Sequence, residues 1–185
     1  MECKIASTAS EQKAILQQRY DIFVEEFNFL APREDGKRIE YDEYDEHSLL
    51  FGVWKKNGLI ASCRLILPSY TLGLPTLNCM IIDSTTFRKD ESTAEISRIL
   101  VASEHRIFKK TIKILQTMQK EINRVSSEYG IVQIIGAVEP SFLRLLNYSK
   151  LPYQPIGPLQ NHIGPDRYPI ILKIKDHIIF MKELR

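Results

Sequence analysis

The sequence predicts a three-layer α/β/α sandwich around a mixed β-sheet, and two observations carry that prediction. Residues 94–102, 108–129 and 131–138 read as strand, long amphipathic helix and buried strand, a unit that closes onto a parallel neighbour by a right-handed crossover. Just before it, residues 48–54 and 59–67 form two apolar, β-prone runs separated by Lys55-Lys56-Asn57-Gly58, which is an antiparallel hairpin. A sheet with both kinds of neighbour needs cover on both faces. The long helix supplies one cover, and an N-terminal helix over residues 7–27 supplies the other. At 185 residues, one domain over 1–185 is the expected organisation.

In the first helix Ile15, Leu16, Tyr20, Ile22, Phe23 and Phe27 recur at three- and four-residue spacing, so one face is buried. Arg19, four residues before Phe23, lies on or beside that face. Residues 31–37, with Pro32 and Gly36, break the periodicity as a loop, and the acidic run Glu40-Tyr41-Asp42-Glu43-Tyr44-Asp45-Glu46 follows. Asn57-Gly58 is the hairpin turn signal, and residues 68–91 are irregular. Along the long helix Phe108, Ile112, Leu115, Met118 or Gln119, Ile122, Val125 and Tyr129 make one stripe, with Gly130 where a C-terminal cap belongs. A short helix over 141–148 and, after a Pro- and Gly-rich loop, a strand over 169–174 complete the chain.

A composition of 44% hydrophobic and 26% charged residues with net charge +2 excludes a disordered chain. No apolar run approaches the roughly 18 residues of a membrane span. Residues 1–10 hold no apolar signal core, so a cytoplasmic location is expected. Cys3, Cys63 and Cys79 are odd in number and lack CxxC spacing, which favours reduced, packed thiols over disulfides or zinc. His47, His105, His162 and His177 show no ligand spacing, and no metal is expected. The basic residues are dispersed without a recognition motif, which argues against nucleic-acid binding.

The net charge conceals a division. Residues 1–50 hold six basic and twelve acidic side chains, a balance of −6; residues 51–100 hold six and four, +2; residues 101–185 hold thirteen and seven, +6. Within this pattern, Arg64 stands in the apolar run Ile60-Ala-Ser-Cys-Arg-Leu-Ile-Leu67, and Glu95 and Arg98 stand in Ala94-Glu-Ile-Ser-Arg-Ile-Leu-Val101. Charges in strand cores are rarely buried without partners. Arg19, Arg64 and Arg98 are therefore expected to meet Asp42, Asp45 and Glu95 in one network, either as structural ion pairs or as a functional site.

Arg19, Phe23, Phe29, Asp42, Asp45, Arg64, Glu95 and Arg98 together resemble the signature of the acyl-homoserine-lactone synthases, in spacing as well as identity: Arg-x3-Phe, Asp-x2-Asp, Arg-Leu on the hairpin return and Glu-x-Ser-Arg before the long helix. Phe29 stands where that family usually carries Trp. The chain is similar also to the N-acyl amino acid synthases and exosortase-associated acyltransferases, through Glu40-x-Asp-x2-Asp45, Leu74-Pro75, Glu95-Ile-Ser-Arg98 and the late Gly157-Pro158 with His162 to Pro169. Both groups belong to the GNAT acyltransferase superfamily, so the resemblance implies a GNAT-like mixed sheet and N-acyl transfer. It implies Glu95 and Arg98 as catalytic residues, with Glu95 as general base. Backbone N–H groups after Arg98, around Ile99 to Val101, become oxyanion donors at a strand bulge, and Arg19, Phe23, Phe29, Asp42, Asp45 and Arg64 become an acceptor site. The acceptor stays open between an amino acid and S-adenosylmethionine. His47 or His162 would border its pocket, and Met118, Phe142 and Leu146 would line an acyl tunnel.

GNAT enzymes that use coenzyme A place a Gly-rich turn at the start of the long helix, where free N–H groups hold the pyrophosphate. Here the segment reads Arg106-Ile-Phe-Lys-Lys-Thr111, without glycine. The expected donor is therefore an acyl-phosphopantetheine on an acyl carrier protein, whose acidic surface would meet Arg106, Lys109, Lys110 and Lys113. The alternative of a different class is a non-catalytic GNAT-fold protein that binds an acylated ligand.

Overall fold

The computed structural model describes residues 1–56, 58–88 and 92–177. Strands β1 (Glu2–Ile5), β2 (Ser48–Lys55), β3 (Gly58–Ile66), β4 (Thr93–Val101), β5 (Gln133–Val138), β6 (Gln154–Pro155), β7 (Gln160–Asn161) and β8 (Asp166–Lys173) form an eight-stranded sheet. Its order is β1-β2-β3-β4-β5-β8-β6, with β7 on β8. β4 and β5 run parallel, and every other pairing is antiparallel. The crossover between β4 and β5 is helix α3, so the mixed α/β sandwich is the observed fold.

Helix α1 (Ala9–Tyr20) starts at a capping box: Thr8 accepts from the Glu11 N–H and the Glu11 carboxylate accepts from the Thr8 N–H. The expected single helix to residue 27 changes character at Asp21, where a π-helical segment, Asp21–Glu26, takes over. That wider turn re-aims Ile22 and Phe23. α1 lies on the sheet face of Ser62, whose hydroxyl donates to Gln18 (2.7 Å). α3 (Phe108–Glu128) and α4 (Pro140–Tyr148) lie on the other, where Cys63, Leu65, Ile96 and Ile134 join Leu115, Met118, Ile122 and Leu146 in the main core. α2 (Pro75–Cys79), opened by Pro75, occupies part of the segment read as irregular.

The α3 stripe is displaced from its sequence reading. Thr111, Ile114 and Ser126 are buried, whereas Phe108 and Tyr129 are both 54% exposed, because the contact face is set by the sheet and α4. Gly130 (φ +66°) stands just past the helix as expected. The last strand begins at Asp166, three residues early, extended by its pairing with β5 at Tyr168 and with β7 at Arg167 and Asp166. Asn57 of the turn signal lies outside the described residues. Among the described residues, no helix is long and apolar enough to cross a membrane.

Candidate active site

Two departures from regular sheet create the site. Ser62 pairs with Leu100 but Arg64 pairs with Ser97, so Cys63 alone opposes Arg98 and Ile99. This is a bulge in β4, and Arg98 at its centre has φ +52°. A non-glycine residue in that region costs about 1–3 kcal/mol, so the surroundings must hold it there. The second departure is that the β4–β5 ladder ends at Glu95↔Ile135. At Gly136 the strands are still so close that a Cβ would stand 2.7 Å from the Ile96 carbonyl oxygen. Beyond it they splay, and the gap is a cavity of about 450 Å³.

Along the splay, the β4 edge has no strand partner. The Ala102 N–H donates to the Ile60 carbonyl (2.9 Å), so residue 102 faces β3; by alternation Val101, and Ile99 two residues earlier, face the gap. Arg106 Nε donates to the Val101 carbonyl (2.7 Å), so that acceptor is taken while the Val101 N–H faces the gap. The wall on the α3–α4 side is mainly apolar, with Phe108, Phe142 and Leu145 beside Thr111 and Ser141; on the α1 side stand Phe23, Phe27, Phe29, Arg98 and Arg167. Phe27 and Phe29 stack at 5.2 Å, and the Arg98 guanidinium lies 5.3 Å from the Phe23 ring centre.

What holds Arg98 in its unusual conformation is the buried charge network. Arg98 donates to Glu40 (2.9 and 3.2 Å) and Asp42 (3.2 Å). Arg64, 1% exposed, holds Asp42 in a two-pronged pair, reaches Asp45 at 3.0 Å and donates Nε to Ser97 (2.9 Å). Arg19, also 1% exposed, binds Asp45 through both terminal nitrogens (2.6 and 3.0 Å) and Glu40 through Nε. Three arginines thus meet three carboxylates. Burial opposes ionisation of Glu40 and Asp45, but the hydrogen bonds and charges of Arg98 and Arg19 on Glu40, and of Arg19 and Arg64 on Asp45, outweigh it and hold both pKa values below the ordinary range.

The third carboxylate is Glu40, not Glu95 as expected. Glu95 is 3% exposed and accepts from the Thr76 N–H (2.9 Å) and hydroxyl (2.8 Å) at the start of α2. Burial pushes its pKa up to about 7, against the opposing pull of the Thr76 hydrogen bonds and the charges of Arg64 and Arg98. Glu95 does not line the cavity, although Ser97, on the same strand face, does. Glu40 was legible as the first acid of Glu40-x-Asp-x2-Asp45; Thr76, in a turn-rich segment, carried no signal.

The structure thus brings Arg19, Asp42, Asp45, Arg64 and Arg98 together and puts Phe23, Phe29, Arg98, Ile99, Val101 and Arg106 on the cavity wall. Arg106 is bound to Glu26 in two-pronged fashion, while Lys109, Lys110 and Lys113 are exposed on the first turns of α3. Of the expected acyl-tunnel residues Phe142 lines the cavity; Met118 and Leu146, each 2% exposed, pack in the core below it, because α3 and α4 close together there. Cys63 is buried, which pushes its thiol pKa well up and disfavours a nucleophile. His162 is half-buried, and burial together with Arg167 and Arg98 holds its pKa below the usual value.

Residues 18–116 match the acetyltransferase (GNAT) domain family. No curated protein matches the chain in sequence. Among solved structures, it is similar to FeeM, an N-acyl amino acid synthase from uncultured soil microbes, with TM-score 0.75 and 15% identity over 99% of this chain and 97% of that one. It is similar also to BjaI, a CoA-dependent acyl-homoserine lactone synthase seen with SAM and isopentyl-CoA (TM-score 0.69, 20% identity, 94% and 81% of the chains). A third is the acyl-homoserine lactone synthase LasI (TM-score 0.69, 13% identity, 93% and 89%).

Proposed function

From the premise that the chain belongs to the GNAT acetyltransferase-domain family, and is an N-acyltransferase, we propose that it moves a fatty acyl group from a phosphopantetheine thioester on an acyl carrier protein to the amine of a small metabolite. The observation that carries the reading is the splayed cavity. One wall is mainly apolar and suits an acyl chain, the other is polar and aromatic and suits a small amine, and the unpartnered β4 edge lies between them.

In this reading the thioester carbonyl oxygen takes hydrogen bonds from N–H groups at Ile99 and Val101, which stabilise the oxyanion that develops on attack. The acceptor nitrogen attacks the carbonyl carbon, a C–N bond forms, the C–S bond breaks and the pantetheine thiol leaves. Glu95 takes the ammonium proton. A pKa of about 7 matches that task near neutral pH, and because Glu95 stands outside the cavity wall the proton travels through a water on the Ser97 face of β4. Arg98 holds Phe23 and the bulge in place, and Arg19, Arg64, Asp42 and Asp45 brace it from behind. The acceptor is S-adenosylmethionine, giving an autoinducer-type product, or an amino acid; similarity to both kinds of synthase supports this pair.

For the donor, the exposed Lys109, Lys110 and Lys113 and the absence of glycine between residues 106 and 111 support a carrier protein. The similar protein BjaI is CoA-dependent, so the decisive assay offers both thioesters of one acyl chain. Turnover is expected to be much faster with the carrier and to fall as salt rises. Equal rates would defeat the donor assignment. Mass spectrometry of lipids from cells overexpressing the chain identifies acceptor and chain length together, and a lipid profile unchanged by overexpression would defeat acyl transfer.

A further inference from the structure

We infer that Arg167 anchors a carboxylate of the acceptor substrate, an inference that rests on the acyltransferase reading. Arg167, the second residue of β8, lines the cavity on its aromatic side, its guanidinium 5.9 Å from the Phe29 ring centre. Its side chain is 16% exposed, and its Nε is buried with no hydrogen-bond partner among the described residues. A terminal nitrogen forms an ion pair with Glu139 at 3.8 Å, beyond hydrogen-bond length. The other cavity arginines differ in this respect: Arg98 is held by Glu40 and Asp42, and Arg106 by Glu26.

A buried donor without a partner is costly, and beside a cavity a ligand atom is one group that can supply the partner. Burial, with Glu139 opposing and Arg98 adding, lowers the Arg167 pKa, and the same two arginines act with burial on His162. Arg167 thus brings to this end of the cavity a guanidinium whose carboxylate neighbour stands beyond hydrogen-bond length and whose Nε has no partner among the described residues. An anion is the complement, and a carboxylate can meet Nε and a terminal nitrogen of one guanidinium edge together. Position assigns the anion to the acceptor. The opposite wall, with Phe108, Phe142 and Leu145, is mainly apolar and suits the acyl chain. Free amino acids and S-adenosylmethionine both carry the required carboxylate beside the amine.

The test uses the full chain with acyl carrier thioester and, as probes, the free amino acids and S-adenosylmethionine; the probe consumed identifies the source. The same acceptor is then offered without its carboxylate, as the amino acid amide or decarboxylated S-adenosylmethionine. Wild type is expected to favour the carboxylate form in kcat/KM by roughly 10- to 100-fold. In R167Q this preference should fall towards unity, mainly through KM, and R167K should restore part of it. A preference unchanged in R167Q overturns the inference, as does an equal loss for both forms, which marks a merely structural role. If R167Q does not fold, the wild-type and R167K preferences decide, and no preference in wild type overturns the inference. If wild type acylates none of the probes, the acyl-transfer reading fails separately. Calorimetric binding of the same probes to wild type and R167K then decides the carboxylate site, and equal affinity for forms with and without carboxylate overturns it.

Discussion

Glu95→Gln removes the charge of a carboxyl that is 3% exposed while keeping its shape, and the amide can still accept from the Thr76 N–H and donate to the Thr76 hydroxyl. The folded pKa is raised from 4.5 to about 7, so the folded state holds this proton more tightly than the unfolded chain does. Stability is therefore full below the unfolded value and falls as pH rises from 4.5 towards 7, the reverse of a salt-bridged carboxylate. At 1.36 kcal/mol per decade, the ionised Glu95 costs the wild type about 3 kcal/mol above pH 7. The glutamine variant escapes that cost. Urea unfolding of both proteins at pH 5 and pH 8 should show the variant gaining about 2–3 kcal/mol on wild type across that interval, since the other carboxylates cancel. Acyl transfer by the same variant should fall by about 100-fold or more, as expected for a lost general base. A stability difference independent of pH would refute the titration near 7. A wild-type rate in the variant would refute Glu95 as the base even if the stability result held.

Other outcomes follow from the same geometry. Asp45→Ala leaves the buried Arg19 with Glu40 alone and should cost about 3–5 kcal/mol in urea unfolding, whereas Asp35→Ala, breaking the surface pair with Arg33, should leave the unfolding midpoint nearly unchanged. Glu40 and Asp45 have lowered pKa values, so their contribution is present above the unfolded carboxylate range near 4 and is lost as pH falls through the folded values; circular dichroism from pH 5 down to pH 2 should show unfolding in that window, and Asp45→Asn should blunt it. Gly136→Ala drives a methyl against the Ile96 carbonyl at the point where β4 and β5 part, and should destabilise by about 1–3 kcal/mol and reduce turnover. Replacing Lys109, Lys110 and Lys113 by Glu together should lower kcat/KM for the carrier thioester about tenfold or more while sparing the coenzyme A thioester; an equal loss with both would place those lysines outside carrier docking.

How much was legible in the chain follows residue by residue. The hairpin, the long helix and the crossover were written in apolar periodicity, since each buries one face and periodicity records burial. The short strands β1, β6 and β7 were not, because two to four residues hold too little alternation to register and their pairing is set by neighbours. Arg64 and Arg98 announced themselves by being charged within apolar strand runs, Arg19 by its place four residues before Phe23 on the buried helix face, and Asp42 and Asp45 by their spacing in the acidic run before the hairpin. Arg167 gave no such signal: its neighbours Asp166 and Tyr168 are ordinary for a strand start, and the lack of a hydrogen-bond partner at its Nε among the described residues is a fact of three dimensions.

The balance of −6 in the first fifty residues against +6 at the end was a property of the sequence alone, and so were the fold class and the arginines of the buried network. Tertiary structure decided who pairs with whom. Glu40 rather than Glu95 completes the arginine network, and Glu95, turned to Thr76 and deprived of a direct arginine contact, is left with a pKa near 7 instead of a depressed one. The reason is physical. Periodicity and composition report burial, which acts on each residue singly, whereas the pKa of a carboxyl depends on the distances to a few charges brought from remote parts of the chain, and only the folded arrangement sets those distances.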